Sequence, residues 1–170
     1  MRRYAVLILA GIFATLVPLY ATSVQRLSFD ELVTKSHAIV QGNVVSTSTY
    51  RSADGKLIFT SYTIDVQESL KGSPGKTVVL TTIGGRIGNT ILHVSGMPVF
   101  QPGENAVLFL EQSGEYTTVV GLNQGKFAIS SNGEIANSVD GLTFPNGATA
   151  RPVRMPLNEF KRQVKLRLNR

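Results

Sequence analysis

Histidine, cysteine and carboxylate side chains are common metal ligands and acid or base catalysts, and this chain of 170 residues has few of the first two. His37 and His93 are its only histidines, and it contains no cysteine. A structural zinc site takes four ligands, drawn mainly from these two residue types, so the usual zinc sites are not available. The histidines could pair with carboxylates such as Asp65 or Glu104, but no spacing indicates it, and we predict no metal site.

Three glycines in the segment TIGGRIGNT, Gly84, Gly85 and Gly88, follow a predicted strand, as a phosphate-binding loop would. A dinucleotide site also needs a helix directly after the glycines, so that the helix N-terminus meets the pyrophosphate. The next residues, TILHVS, are instead typical of a strand. The pattern therefore predicts a tight connection between strands, and we predict no nucleotide or other cofactor.

Catalytic motifs are also missing from the sequence. No Gly-x-Ser-x-Gly element occurs, and the many hydroxyl residues fall in predicted strands and turns. Glycoside hydrolysis needs two carboxylates facing each other across a cleft. The nearby pairs Asp65 with Glu68 and Glu111 with Glu115 are more simply interpreted as charges that face solvent. We therefore predict that the protein is not an enzyme.

The N-terminal residues have the pattern of a secretory signal. Arg2 and Arg3 precede an apolar run over residues 4–17, and Ala21 offers a cleavage point, so residues 1–21 are predicted to be a signal peptide. An uncleaved membrane anchor is the alternative, because the run is near the lower limit of about 17 residues for spanning a bilayer. An exported chain without cysteine cannot use disulfides. We therefore expect a secreted or periplasmic bacterial protein.

The net charge of +6 is unevenly distributed. Residues 22–150 carry 8 basic and 10 acidic residues, whereas residues 151–170 carry 7 basic and 1 acidic. Nucleic-acid binding would need basic charge spread over the folded surface, so we predict no nucleic-acid partner. The tail sequence PLNEFKRQVKLRLNR has the spacing of a helix with one apolar side, formed by Leu157, Phe160, Val164 and Leu168. We expect residues 156–170 to pack on the domain, with weak attachment to an anionic membrane as the alternative.

Between these ends the spacing predicts one domain that is mainly β, residues 22–155. SFDELVTKS has the capping box of a short helix, Ser28 and Glu31. AIVQGNVVSTSTY is typical of a strand with a bulge or bend at Gly42, and an Asp-Gly turn at residues 54–55 predicts a hairpin. The next strand alternates, with one predicted face of Ile58, Tyr62, Ile64, Val66 and Leu70. AVLFLEQ is apolar throughout, as a central strand would be, and residues 138–155 are predicted to be a surface loop.

The order of these segments resembles the netrin-like module, the partly open five-stranded barrel of oligonucleotide/oligosaccharide-binding (OB) type found in tissue inhibitors of metalloproteinases. The resemblance covers approximately residues 28–125 and rests on SHAIVQGNVVS, an alternating strand that ends in Leu-Lys-Gly, a valine-rich strand and PGENAVLFLEQ. It implies this barrel, flanked by the two helices. The inhibitors chelate the protease zinc with the amine and carbonyl of a disulfide-held N-terminal cysteine. Here we expect a flexible, cysteine-free terminus near Thr22, so that mechanism does not carry over.

The mature chain is also similar to a group of small, cysteine-free exported bacterial proteins. These share a Gly-x-x-Gln-Gly-x-Phe segment, here Gly121, Gln124, Gly125 and Phe127, and a helix start of the form Pro-Leu-x-Glu-Phe. The resemblance bears on the fold and implies no activity.

The combined interpretation is a non-catalytic binding module with a protein or polysaccharide partner. OB-type barrels bind along one sheet face and its bordering loops. The polar residues in glycine-bordered loops are the predicted binding residues: Arg86, Asn89, His93, Asn123 and Gln124. Two alternatives stay open, an inhibitor or accessory protein of an exported metalloprotease and a structural protein of the cell envelope.

Overall fold

The computed structural model describes residues 24–145 and 151–170, and within them the chain is mainly β, as the sequence predicts. Two α-helices, α1 (Phe29–Lys35) and α2 (Leu157–Leu168), and a short 3-10 helix (Leu122–Gly125) accompany ten strands. The strands are β1 (Ala38–Arg51), β2 (Ile58–Lys71), β3 (Thr77–Ile83), β4 (Gly85–Ile87), β5 (Thr90–Leu92), β6 (Asn105–Ser113), β7 (Tyr116–Val119), β8 (Lys126–Ile129), β9 (Glu134–Asn137) and β10 (Arg154–Pro156).

Eight of these strands form one antiparallel sheet. Its order is β10-β9-β8-β6-β1-β2-β3, and β7 pairs with the second half of β6, beyond the end of β8. Strands β4 and β5 form a separate hairpin, as the glycine-rich segment predicts. In the described residues no ladder of backbone hydrogen bonds joins β3 to β7. The sheet is therefore not closed, and β3 and β7 each keep one unpaired edge.

Strand β6 is central because both of its faces are buried. Ala106, Leu108 and Leu110 face one apolar cluster, which includes Tyr62, Ile64 and Leu80, whereas Val107 and Phe109 face a second cluster under the helices. Alternate residues of a strand point to opposite faces, so a strand covered on both sides is apolar at every position. The prediction that AVLFLEQ is a central strand is confirmed.

Gly42 lets β1 lie close against β2 at the point where their register changes. A Cβ at this position would lie 2.4 Å from the Asp65 carbonyl oxygen and 2.7 Å from Ile64 Cγ2. The pairing register shifts between Gln41 and Gly42. Since an irregularity in a ladder changes which face the following residues occupy, Gly42 marks a bend, and the predicted bulge or bend is confirmed.

The register shifts also overturn one sequence prediction. Leu70 was expected on the same face as Ile58, Tyr62 and Ile64 because all four are even-numbered positions of one strand. Instead, Leu70 packs with the second cluster, beside Ile39, whereas Tyr62 and Ile64 belong to the first. The pairing of β1 with β2 shifts between Val66 and Glu68, and Leu70 itself lies in a second shift, between Ser69 and Lys71. Strict alternation fails across such irregularities.

Helix α1 begins at a capping box, as predicted. The Ser28 hydroxyl accepts a hydrogen bond from the Glu31 amide at 3.2 Å, and the Ser28 amide donates to the Glu31 carboxylate at 2.7 Å. At the other end, Lys71 Nζ donates to the carbonyl oxygens of Val33 at 2.6 Å and Ser36 at 2.5 Å. A cation at a helix C-terminus stabilises the unpaired carbonyls and the negative end of the dipole.

Helix α2 packs on the sheet through an aromatic cluster. Phe160 and Val164 are fully buried, and Phe160 lies 5.2 Å from Phe29 and 4.7 Å from Phe127, measured between ring centroids. Several of the tail's basic side chains contact carboxylates: Lys161 with Glu68, Arg162 with Glu159, and Arg167 and Arg170 with Asp30. The predicted packing of this helix against the domain is thus observed. Leu168, expected on the apolar side, is 36% exposed.

The predicted signal peptide, residues 1–21, lies outside the described residues. The predicted loop over residues 138–155 is irregular where described, except that its end belongs to β10, which pairs with β9 through residues such as Met155 and Ile135. Neither of the described α-helices has the length and hydropathy of a membrane-spanning segment.

Candidate functional site

The candidate site is a cleft between β3 and β7, where the sheet is not closed. Its volume is about 380 Å³, and most of its lining is apolar. The residues come from both sides of the opening and from the loops at one end: Phe59, Thr81, Thr82, Ile83, Met97, Glu111, Ser113, Tyr116, Thr118, Val119, Gly121 and Leu122. A concave, largely apolar pocket with a few polar groups is the usual form of a ligand site.

A row of three aromatic rings borders this cleft. Phe59 of β2 stacks on Tyr50 of β1 with 5.8 Å between ring centroids, and on Tyr116 of β7 with 5.4 Å. Tyr50 and Phe59 are cross-strand partners in the ladder, whereas Tyr116 reaches Phe59 from the other side of the opening. Stacked rings add stability beyond their buried area. The row therefore links β7 to β1 and β2 across the opening.

One carboxylate, Glu111, lines the cleft. It is half-buried on β6 and lies directly opposite Thr118 of β7 in the ladder. In the described part of the chain Glu111 has no ion-pair partner. Among the described residues, no lysine, arginine or histidine lines this cleft. Its fixed charge is therefore negative.

Tyr116 contributes a neutral phenol to the same wall. Its pKa is raised, first because the Glu115 carboxylate accepts a hydrogen bond from the hydroxyl and then through partial burial and the negative charge of Glu115. Negative charge near a phenol disfavours the phenolate. At neutral pH the ring is accordingly an uncharged aromatic surface beside Glu111.

Hydroxyl groups from β3 complete the opposite wall. Thr81 Oγ1 and Ser61 Oγ lie 3.0 Å apart and share a hydrogen bond across the β2–β3 pair. Thr82, on the other face of the strand, is only 4% exposed. Both threonine hydroxyls have hydrogen-bond partners on β2 and so help to fix β3 on that strand.

A smaller cavity of about 180 Å³ adjoins the cleft and shares Thr82, Ile83 and Met97 with it. The β4–β5 hairpin covers one side of this cavity. Gly85 permits the hairpin to approach, because its φ is 135° and an added Cβ would lie 2.4 Å from Thr60 Oγ1. A side chain at position 85 would combine a rare backbone conformation with a steric clash.

The predicted binding residues do not converge on one site. Arg86 and Asn89 are exposed on the β4–β5 hairpin, and His93 lines the smaller cavity. Asn123 is half-buried in the 3-10 helix, where its amide donates to the Gly96 carbonyl at 3.0 Å. His93 and Leu122, which precedes Asn123 in the chain, line a common cavity, so two of the predicted loops do meet.

Gln124 is buried and fully engaged with the protein. Its Oε1 accepts a hydrogen bond from the Leu27 amide at 2.8 Å, and its Nε2 donates to the carbonyls of Gln25 at 3.0 Å and Gly121 at 3.2 Å. With 3% of its surface exposed, it offers no group to a ligand. Gln124 thus has a structural role in holding the segment before α1.

The same contacts hold the segment before α1 against the domain. The Val24 amide donates to the Thr143 carbonyl at 2.8 Å, and Gln25 and Leu27 bond to Gln124. From residue 24 onwards the chain is therefore attached to the domain, while Thr22 and Ser23 lie outside the described residues.

Sequence reasoning missed the residues of the cleft. Tyr50, Phe59 and Tyr116 lie far apart in the sequence, and Glu111 was interpreted as a solvent-facing charge. Only the position of β7 relative to β3 brings them together. Within residues 24–145 and 151–170, no group of three or more histidine, cysteine or acidic side chains is placed to hold a metal ion.

Comparisons with known proteins give no further guide to this site. No family model matches the chain, and searches of curated proteins and of solved structures find no significant match.

Proposed function

We propose that this protein is an exported, non-catalytic binding module whose ligand occupies the cleft between β3 and β7. The observation that carries the proposal is the cleft itself, a concave and mainly apolar pocket at an opening in the sheet. Ligands of β-barrels commonly bind at such openings, where the framework is rigid and the lining is free to vary. The signal-like sequence of residues 1–21 supports export, followed by release into the periplasm or the medium.

The strand arrangement supports a partly open OB or netrin-like barrel as the framework. Strands β3, β2, β1, β6 and β7 follow one another in the sheet, and β3 and β7 flank the cleft at the two ends of this series. Five antiparallel strands in such a series, with one unpaired seam, agree with an OB-type barrel. The helices pack over Val107 and Phe109, and none of their residues lines the cleft, so they leave it accessible.

The proposal is tested by filling the cleft. Thr118→Trp places an indole in a cavity of about 380 Å³, and Thr77→Trp is the matched control, because Thr77 is exposed at the start of β3 and does not line the cleft. Both variants and the exported chain are used to capture proteins and glycans from envelope and culture-medium extracts. We expect one saturable ligand that Thr118→Trp fails to retain and Thr77→Trp retains.

Retention of the same ligand by both tryptophan variants would show that the cleft is not the binding site. A captured metalloprotease that the chain inhibits would instead support the inhibitor alternative. Absence of any saturable ligand would favour a structural role in the envelope.

A further inference from the structure

The cleft and the smaller cavity adjoin and form one elongated, mainly apolar space. They share Thr82, Ile83 and Met97, so the smaller cavity of about 180 Å³ continues the cleft of about 380 Å³ under the β4–β5 hairpin. We propose that this space holds the acyl chain of an uncharged lipid, with the end of the chain in the smaller cavity and the headgroup at the cleft. This inference rests on the proposed function, because it names the ligand of the same cleft.

The lining of the smaller cavity suits the end of a hydrocarbon chain. Most of its surface is apolar, and Ile91 and Leu92 of the hairpin contribute to it. The two threonine hydroxyls in its wall already have partners: Thr60 Oγ1 donates to the Gly84 carbonyl at 2.6 Å, and Thr82 Oγ1 donates to the Thr60 carbonyl at 3.5 Å. A polar group is costly to bury only when it has no partner. A hydrocarbon chain can therefore cover this wall without leaving either hydroxyl unpaired.

Met97 lies at the junction of the two cavities. It is half-buried and lines both of them. A methionine side chain is unbranched and flexible, so it adapts to irregular apolar shapes. The other two shared residues, Thr82 and Ile83, belong to β3, which its ladder with β2 holds in place. Met97 is therefore the adjustable side chain of the junction, and the acyl chain passes beside it.

The charge of the lining favours an uncharged headgroup. Glu111 is the carboxylate that lines the cleft, and among the described residues no lysine or arginine lines either cavity. A carboxylate or phosphate headgroup would thus lie near a like charge, which is unfavourable. Ser113 and Thr118 also line the cleft, and their hydroxyls can exchange hydrogen bonds with the hydroxyls of a glycerol or sugar headgroup.

The experiment uses monoacylglycerols with saturated chains from octanoyl to hexadecanoyl, kept below the concentrations at which they form micelles. Affinities for the purified full chain are measured by displacement of the fluorescent apolar probe N-phenyl-naphthylamine. We expect each added methylene to tighten binding about fourfold until the chain fills both cavities, after which the affinity should stop rising. The fatty acid of the same length should bind about tenfold more weakly, and Glu111→Gln should remove most of this difference.

Met97→Trp places an indole at the junction and tests the path of the chain. We expect the affinity to stop rising at a shorter chain length, because the indole separates the smaller cavity from the cleft. Val79→Trp is the matched control, since Val79 is 54% exposed and lines neither cavity, and it should keep the full length dependence. Met97→Gln, a substitution of similar size, should weaken the binding of long chains and provides a second test if the indole prevents folding.

Three outcomes would overturn the inference. Affinity that does not depend on chain length, or no displacement of the probe by any monoacylglycerol, would exclude an acyl chain as the ligand. The same length limit in Met97→Trp as in the unchanged protein would reject the path through the junction. Tighter binding of the fatty acid than of the monoacylglycerol would reject the uncharged headgroup.

The two proposals fail in different ways. A ligand captured from extracts that Thr118→Trp fails to retain, together with no binding of monoacylglycerols, would leave the cleft as the binding site and reject the lipid. Monoacylglycerol binding that neither Thr118→Trp nor Met97→Trp affects would reject both cavities as the site.

Discussion

Gln124 forms a side-chain hydrogen bond with Leu27, which lies 97 positions earlier in the sequence. Its side-chain oxygen accepts a hydrogen bond from the Leu27 amide at 2.8 Å, and its nitrogen donates to the Gln25 carbonyl at 3.0 Å. The 3-10 helix that carries Gln124 thereby attaches the extended segment before α1 to the sheet. The Gly-x-x-Gln-Gly sequence is thus explained by a structural contact.

Gln124→Ala is expected to lower the free energy of unfolding by about 1 to 3 kcal/mol, because the partly buried Leu27 amide would lose its acceptor. Urea unfolding followed by circular dichroism measures this change. Gln101→Ala is the matched control, since Gln101 is exposed, and we expect a change within about 0.5 kcal/mol. Similar effects of the two substitutions would contradict the structural role of Gln124.

Phe160→Ala should destabilise the domain by about 3 to 5 kcal/mol, because a fully buried ring is lost from the contact between α2 and the sheet. Leu166→Ala should have little effect on stability, because Leu166 of the same helix is 49% exposed. Thermal unfolding of the two variants makes the comparison. If Phe160→Ala unfolded like the unchanged protein, α2 would not be an integral part of the domain.

Lys126→Met is expected to cost about 2 kcal/mol of stability. The substitution removes the cation that pairs with half-buried Glu104, and it removes the hydrogen bond that Lys126 Nζ donates to the Val99 carbonyl. Only 15% of the Lys126 side chain is exposed. A double-mutant cycle with Glu104→Gln separates the pairwise contribution from other effects. Strictly additive single and double variants would show that the pair has no net coupling.

The capping box makes the free energy of unfolding depend on pH in the acidic range. The pKa of Glu31 lies below its usual value of 4.5, chiefly because the carboxylate accepts a hydrogen bond from the Ser28 amide and secondly from the Ser28 hydroxyl. A carboxylate whose pKa is lowered on folding stabilises the protein above its unfolded pKa, and this contribution is lost as the pH falls through the folded pKa.

NMR titration of the Glu31 carboxyl carbon measures that pKa directly. Ser28→Ala removes the hydroxyl and keeps the amide, so we expect the pKa to return only part of the way towards 4.5. Glu115, an exposed carboxylate, serves as a reference in the same spectra. An unchanged pKa of Glu31 in Ser28→Ala would exclude any contribution from the hydroxyl.

Local features of the fold were predictable because short-range interactions decide them. The capping box at Ser28 and Glu31, the Asp-Gly turn at residues 54–55 and the apolar strand that becomes β6 all follow from neighbouring residues. Gly42 was also identified as an irregularity. The sequence pattern failed for Leu70 because a ladder changed register, and the face of Leu70 depends on how β2 pairs with β1.

The sequence by itself thus determined the chain's β character, its helix ends, its hairpins and its uneven charge. Only the tertiary structure decided that β3 and β7 flank one cleft, that Tyr50, Phe59 and Tyr116 form one row of rings, and that Glu111 stands among them. The physical reason is that periodicity and turn residues act over a few positions, whereas the packing of distant strand edges depends on the whole sheet. A sequence motif can therefore show that Gln124 occupies a glycine-bordered turn, but only its partners, Leu27 and Gln25, show what it does there.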